Sequence, residues 1–482
     1  MNDPMENERR SASGAGNRLW QQSRWVLILP LLAGLLLRGW WVWRFGMTTV
    51  DSRIYGEFAR NMLEHGVYGY TNLLNGVLKP PTPTLIRLPG YPLFLAVCFR
   101  LFGMENYTAV MLVQIVVDLG TCLLLGGIAA RIFGRRAGLA ALWLAALCPF
   151  IANYVSVPLT ETLTLACIAL AFYAVVRWDE CGSMIDRWLF VAAFALSYAI
   201  LLRPEQGLMA AAVVPAMGWI GWRKVGLVPA MRRVVLVALL TLLPLVPWTA
   251  RNWRVFHVFQ PLAPRYATDP GQLINYGFQR WYRTWGVEFA STDNVYWNYD
   301  GTPLQIADLP NRAFDSNAQY LETEALFADY NVTMKPTRQI DACFERIAEE
   351  RIHADPMRYY LALPVARVLN MMLRPRTEIL PVPVEWWKFR RAGDWFSLGY
   401  AALNAAFFVL AGVGFARRSA WREHAPVVWA MVATIGLRVL LLLTVDNSEP
   451  RYTLEFFPVL IVLASAVLHG GPKGSIQSAL DS

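Results

Sequence analysis

Charge is what this sequence has least of. Only 16% of its 482 residues are Asp, Glu, Lys or Arg, against about 25% in a soluble globular domain. Histidine is nearly as scarce: His65, His257, His353, His424 and His469 are scattered, and no HExxH pair occurs. A zincin-type protease therefore has no support. The absence of a Walker loop, a GxSxG elbow and a dinucleotide fingerprint removes support for an ATPase, a serine hydrolase or a Rossmann enzyme. The six cysteines (Cys98, Cys122, Cys148, Cys167, Cys181 and Cys343) make no close-spaced pair. Neither a disulfide framework nor a zinc site follows from them.

What is present is apolar surface. Hydrophobic residues make up 56% of the chain and aromatics 13%, a composition that belongs in a bilayer. Spans need about 17–25 apolar residues. Candidates are 25–43, 109–130, 137–154, 159–176, 188–202, 206–222, 234–250, 396–415, 425–445 and 453–469, about ten in all. The net charge of +9 is no nucleic-acid footprint, because many basic residues sit in short loops between apolar runs. Those loops hold Arg131, Arg135 and Arg136; Arg177 and Arg187; Arg223, Lys224, Arg232 and Arg233; and Arg417, Arg418 and Arg422.

Basic loops face the cytoplasm. That choice puts both termini inside and two long segments, 44–108 and 251–395, outside. The chain then divides into a disordered polar tail (1–24), an N-terminal membrane module (25–250) containing the 44–108 loop, an outer segment (251–395), C-terminal spans (396–470) and a short tail (471–482). The later part of 251–395 reads as helical, giving a small α-rich domain outside the membrane. No cytosolic stretch could bind a nucleotide sugar, so any sugar donor arrives through the membrane.

The stretch VDSRIYGEFARNMLEHGVYGY (50–70) follows the first span. Ile54, Phe58 and Met62 recur every four residues beside Tyr55 and Leu63, while Arg53, Glu57, Arg60 and Glu64 face away. This predicts an amphipathic helix in a membrane interface. Asp51 at its start reads either as the N-cap or as a catalytic carboxylate at the lip of the bilayer. Five prolines between Pro80 and Pro92 forbid a continuous helix there. Residues 91–102 form a second interfacial helix, too short to span.

Polar residues near hydrocarbon are costly, yet a set of them falls on the outer side. They are Asp51, Arg87 in RLPGYP, Glu161 in PLTETL, Arg203 and Glu205 in LLRPEQG, Arg251 after VPWTA, and Glu449 and Arg451 in EPRY. Singly, each is explained by snorkelling or by a local ion pair such as Arg203–Glu205. Together they mark a site.

The ordered set DSRIYGEFARNML, RLPGYPLFLA, PLTETL, LLRPEQG, VPWTARNW and EPRY resembles the GT-C superfamily of membrane glycosyltransferases. Within it, the set is most similar to the bacterial branch related to protein O-mannosyltransferases, lipid A aminoarabinose transferases and galacturonosyltransferases. The resemblance implies an all-α polytopic bundle in the inner membrane, with outer-face interfacial helices and a periplasmic active site. It implies inverting transfer of a sugar from a polyprenyl-phosphate carrier to a glycolipid, glycan or protein. The family's catalytic aspartate falls on Asp51. Donor-phosphate contacts fall on Arg87, Arg203, Arg451 and Tyr55, and supporting roles on Glu161, Glu205, Glu449 and Arg251. The companion acid that often follows the aspartate is Ser52 here, so a divalent metal is left open.

The chemistry suits these residue types. A carboxylate can take the acceptor's proton, and arginine offers fixed charge to a departing lipid phosphate. The alternative is a transporter or flippase for a lipid-linked glycan. Transporters favour internal repeats and broken mid-membrane helices, and neither is evident.

Overall fold

The structure is a computed structural model that describes residues 25–74, 77–181 and 185–469; the expected tails, 1–24 and 471–482, lie outside them. The described chain is mostly helical, with almost no strand. It divides into two compact units. The first comprises residues 1–267, 406–437 and 455–482; the second comprises 268–405 and 438–454.

The first unit opens with α1 (Trp25–Phe45) and α2 (Val50–His65). A hairpin of β1 (Gly69–Leu74) and β2 (Val77–Pro83) follows, antiparallel, with Gly69 opposite Pro83 and Leu74 opposite Val77. Next come α3 (Gly90–Phe102), α4 (Tyr107–Phe133), α5 (Arg135–Leu147), α6 (Glu161–Glu180), α7 (Arg187–Leu202), α8 (Gly207–Val225), α9 (Leu227–Leu242) and α10 (Leu245–Phe256). Helix α4 packs against both α5 and α6, and α6 packs against α7.

Among the described residues six helices are long and apolar enough to cross a membrane, or up to eight if two bent pairs each count as one span. The sequence predicts about ten. The bends follow prolines: α5 continues as Pro149–Ser156 after a 47° turn, and α9 and α10, flanking Pro244, meet at 43°. A proline lacks the N–H that would carry the helix through. The two remaining expected spans are helices as well. However, α7 has 16 residues, and α8 carries Pro215 and closes on Arg223 and Lys224.

The hairpin is the clearest departure from an all-α reading. Its prolines stop a helix but fit an extended edge strand. It is sewn to α2, and covers part of that helix's polar face at Glu57, Arg60 and Asn61. Asn61 Nδ2 donates to the Gly69 carbonyl at 2.8 Å. The Thr71 amide donates to Glu57 Oε1 at 2.6 Å, and Arg60 Nη2 to Thr71 Oγ1 at 3.0 Å. The opposite face of α2 buries Phe58 among Tyr68, Leu85, Ile86, Leu88 and Trp248. Helix α3 keeps an exposed apolar stripe of Leu93, Val97 and Leu101, as an interfacial helix requires.

Mid-span, Arg38 of α1 and Asp118 of α4 are fully buried, with Nε 2.5 Å from Oδ2. Arg38 Nη1 also donates to the carbonyls of Ala146 (2.7 Å) and Gly34 (3.1 Å). Charges at membrane depth must find partners inside the bundle, and this pair ties three helices together.

The second unit contains α11 (Tyr276–Arg283), α12 (Asn317–Thr333), α13 (Arg338–Ala354) and α14 (Leu363–Leu373). Its aromatic-dense beginning, which shows no period in sequence, supplies the core: Phe278, Trp281 and Trp285 pack with Tyr330 and Phe344. Asp341 of α13 accepts from the first amides of α11, Gly277 N at 3.1 Å and Phe278 N at 2.9 Å. The chain closes with α15 (Ala392–Ala416), α16 (Ala425–Leu442) and α17 (Phe457–Ser465).

Candidate active site

Asp51 is not the cap of its helix. Thr49 takes that place: its hydroxyl accepts from Ser52 N at 3.2 Å, while the Ser52 hydroxyl accepts from Thr49 N at 3.2 Å. This reciprocal box satisfies the first amides. The Asp51 carboxylate stays in the first turn, where the helix dipole favours an anion. It lies 3.5 Å from Arg87 Nη2, and the two side chains are 25% and 31% exposed.

Arg87 is held by its backbone. Leu85, Ile86 and Leu88 on either side are buried in the α2 cluster. The Tyr68 hydroxyl donates to the Arg87 carbonyl at 3.0 Å. Arg251 secures the same loop from α10: Nη1 donates to the Thr84 carbonyl and Nη2 to the Tyr68 carbonyl, each at 2.8 Å. Its guanidinium lies over the rings of Tyr68, Trp248 and Phe256. Arg251 thus serves the loop that presents Arg87.

Arg203 ends α7 and is the hub of a buried acidic group. Its Nη1 donates to Glu455 at 3.0 Å; Glu161 lies 3.5 Å from Nη2 and Glu205 3.4 Å from Nε. Gln206 also donates to Glu455. The last two residues escaped the sequence reading. Glu455 sits in an apolar run, YTLEFFP, where a single acid looks like a helix-flanking residue. Its only signal was the cost of leaving a carboxylate so near hydrocarbon.

A glycine brings the two arginine loops together. A Cβ on Gly90 would lie 2.6 Å from the backbone carbonyl group of Leu201, so only glycine lets RLPGYP lie against the end of α7. The Tyr198 hydroxyl donates to the Gly90 carbonyl at 3.1 Å. From the same loop, the Tyr91 hydroxyl donates to Gln114 at 2.8 Å, and Gln114 donates to the carbonyls of Val155 and Val157. That chain of bonds positions the strand-like lead into Glu161.

Tyr55 joins the parts. Its ring meets Tyr91 edge-on at 5.2 Å. Burial pushes its phenol up, opposed first by Arg87, with Asp51, Arg203 and Glu161 also acting on it. It therefore keeps its proton at neutral pH and is a neutral hydrogen-bond donor. The first unit thus gathers Asp51, Tyr55, Arg87, Glu161, Arg203 and Glu205, and adds Glu455 and Gln206. Glu449 and Arg451 belong to the second unit, where they pair with each other. Among the described residues no group of three or more His, Cys, Asp or Glu could hold a metal ion.

Helix α6 carries this acidic group at its first residue, Glu161. At its last, Glu180 accepts from Arg131 Nη1 at 2.6 Å. One residue before that, Asp179 lies 2.8 Å from Lys224. Twenty residues separate the two groups by about 30 Å, the thickness of a hydrocarbon core.

Residues 81–248 match the family described as dolichyl-phosphate-mannose-protein mannosyltransferase. The matched stretch contains Arg87, Glu161, Arg203 and Glu205. None of the curated proteins compared with the chain matches it. Among solved structures, ArnT from Cupriavidus metallidurans bound to undecaprenyl phosphate is 17% identical, with 91% of this chain and 77% of that one covered and a TM-score of 0.36. The archaeal oligosaccharyltransferase AglB from Archaeoglobus fulgidus, in complex with an inhibitory peptide and a dolichol-phosphate, is 13% identical, with 92% and 49% covered and a TM-score of 0.47. This chain therefore spans about half the length of AglB. The match spans the motifs RLPGYPLFLA, PLTETL and LLRPEQG.

Proposed function

We propose that the protein transfers a sugar from a polyprenyl-phosphate carrier to an acceptor hydroxyl or amine at the periplasmic face of the inner membrane, with inversion. The observation that carries this reading is the Asp51–Arg87 pair. A carboxylate relieved of helix capping faces a guanidinium at 3.5 Å, both part-exposed, in the cluster that Tyr55 completes. Asp51 takes the acceptor's proton as its oxygen or nitrogen bonds to the anomeric carbon. The carbon–oxygen bond to the phosphate breaks, and the phosphate leaves with the electron pair. Arg87 and the Tyr55 hydroxyl meet the charge that develops on it.

Arg203 has a different balance of charge. Three carboxylates already surround its one guanidinium, so it acts chiefly as the brace that holds Glu161, Glu205 and Glu455 beside the donor. In the transporter reading, charges would line a path at mid-membrane; Arg38 and Asp118 at that depth are instead bonded to each other.

Replacing Asp51 by Asn keeps the side chain's size and its contact with Arg87 but removes the base. Turnover should fall by about 10²–10⁴-fold with donor binding nearly unchanged. An Asp51→Asn enzyme that turns over at the wild-type rate sinks the assignment.

A further inference from the structure

We propose that Arg367 and Arg283 of the second unit form an oxyanion site that takes a phosphate group carried by a membrane lipid. No step of the proposed transfer uses this site, and it stands independently of that reading.

Arg367 lies on α14 and is wholly buried. Its Nη1 is anchored by two backbone carbonyls, Gly286 at 3.0 Å and Arg283 at 3.1 Å. Among the described residues, no acceptor meets its Nε or Nη2. Those two N–H groups form one edge of the guanidinium, the fork that receives two oxygens side by side. The anchor fixes the plane of the group and leaves that fork formed in advance.

The charge around it calls for an anion. Arg283, the last residue of α11, has its guanidinium 5.1 Å from the centre of the Tyr359 ring and 3.5 Å from Asp446, and is 22% exposed. Burial first, and then Arg283, push Arg367 down to about 10. Two guanidinium groups thus share one nearby carboxylate in a buried setting. A buried charge with unsatisfied donors is among the costlier arrangements in a protein. A phosphate oxygen pair on the fork would remove both costs, and the partly exposed Arg283 supplies the way in.

The source of the phosphate is suggested by the other side of the same segment. Leu361, Val365, Leu369 and Leu373 recur every four residues and are all exposed, the stripe of a helix that borders hydrocarbon. A phosphate attached to an apolar chain would be concentrated there; a soluble phosphate would not.

The test uses the full chain in zwitterionic-lipid nanodiscs, with Arg87→Gln in every arm so that the proposed donor site is impaired throughout. Thermal unfolding is followed against sodium phosphate, with sodium chloride at matched ionic strength, and against farnesyl phosphate, with farnesol as control. Farnesyl phosphate should raise Tm at lower concentration than inorganic phosphate, and farnesol should do nothing. Adding Arg367→Lys, which keeps the charge but loses the fork, or Arg283→Gln should raise the half-effective concentration on the order of tenfold. If Arg367→Lys does not fold, Arg283→Gln alone decides. The proposal is overturned if phosphate gives no shift beyond chloride, if both variants respond as their parent does, or if inorganic phosphate acts as strongly as farnesyl phosphate.

Discussion

Arg203 and Glu455 are 252 residues apart in sequence, yet Nη1 of one donates to the carboxylate of the other at 3.0 Å in a buried setting. The bond closes the C-terminal helical stretch onto the end of α7, and Glu455 therefore sets where the Arg203 guanidinium stands. Replacing Glu455 by Gln should keep the fold and lower transfer by about 10–100-fold, the worth of one charged hydrogen bond at about 1.5–3 kcal/mol. Initial rates with a lipid-linked sugar would check it, and wild-type kcat and KM would remove Glu455 from the site.

Tyr55 should act through its proton. Because its phenol is pushed up from the ordinary value, it remains protonated across pH 6–9 and adds no limb to the rate profile there. Tyr55→Phe should weaken donor binding by about 0.5–1.5 kcal/mol without moving that profile. A profile whose alkaline side disappears in Tyr55→Phe would show that the phenol ionises during turnover.

The Arg251 guanidinium holds the carbonyls of Thr84 and Tyr68, so Arg251→Met should loosen the loop bearing Arg87 while removing nothing from the cluster itself. Activity should drop with KM for the donor rising more than kcat falls. Equal loss in kcat alone would place Arg251 in the chemistry instead.

Replacing Arg38 alone by Leu leaves Asp118 buried without its ion partner, a cost of about 3–5 kcal/mol. The double replacement Arg38→Leu with Asp118→Leu should recover most of it. Unfolding in detergent would show this as a low Tm for the single variant and a near-normal one for the double. Two additive losses would mean the pair contributes nothing as a pair.

Orientation has its own test. Residues near Asp300 should face the periplasm and residues near Arg223 the cytoplasm, because basic loops stay inside. Alkaline phosphatase fused near Asp300 should be active and near Arg223 silent; the reverse pattern inverts the whole topology.

Part of this was legible because membrane insertion taxes polarity: Arg87, Glu161, Arg203 and Glu205 stood out beside apolar runs, and the first unit holds all four. The hairpin was harder. Its prolines ruled out a helix without announcing strands, though Asn75-Gly76 between Leu74 and Val77 is a strong local turn signal. In sequence Asp51 suits a cap as well as a base; the Thr49–Ser52 box gives the cap to Thr49 through reciprocal bonds that spacing alone does not reveal. Arg38 and Asp118 hid inside segments whose average is apolar. Pairing across 80 residues leaves no local pattern.

That last separation reaches into the protein's synthesis. Chains emerge at about 5–20 residues per second, so Asp118 follows Arg38 into the membrane by roughly 4–16 s at that pace. During this interval the first span carries a guanidinium with no counterion of its own. It must wait beside the insertion machinery, or borrow water and lipid phosphate, until the third helix after it arrives. A slower ribosome over residues 46–106 would lengthen that exposure.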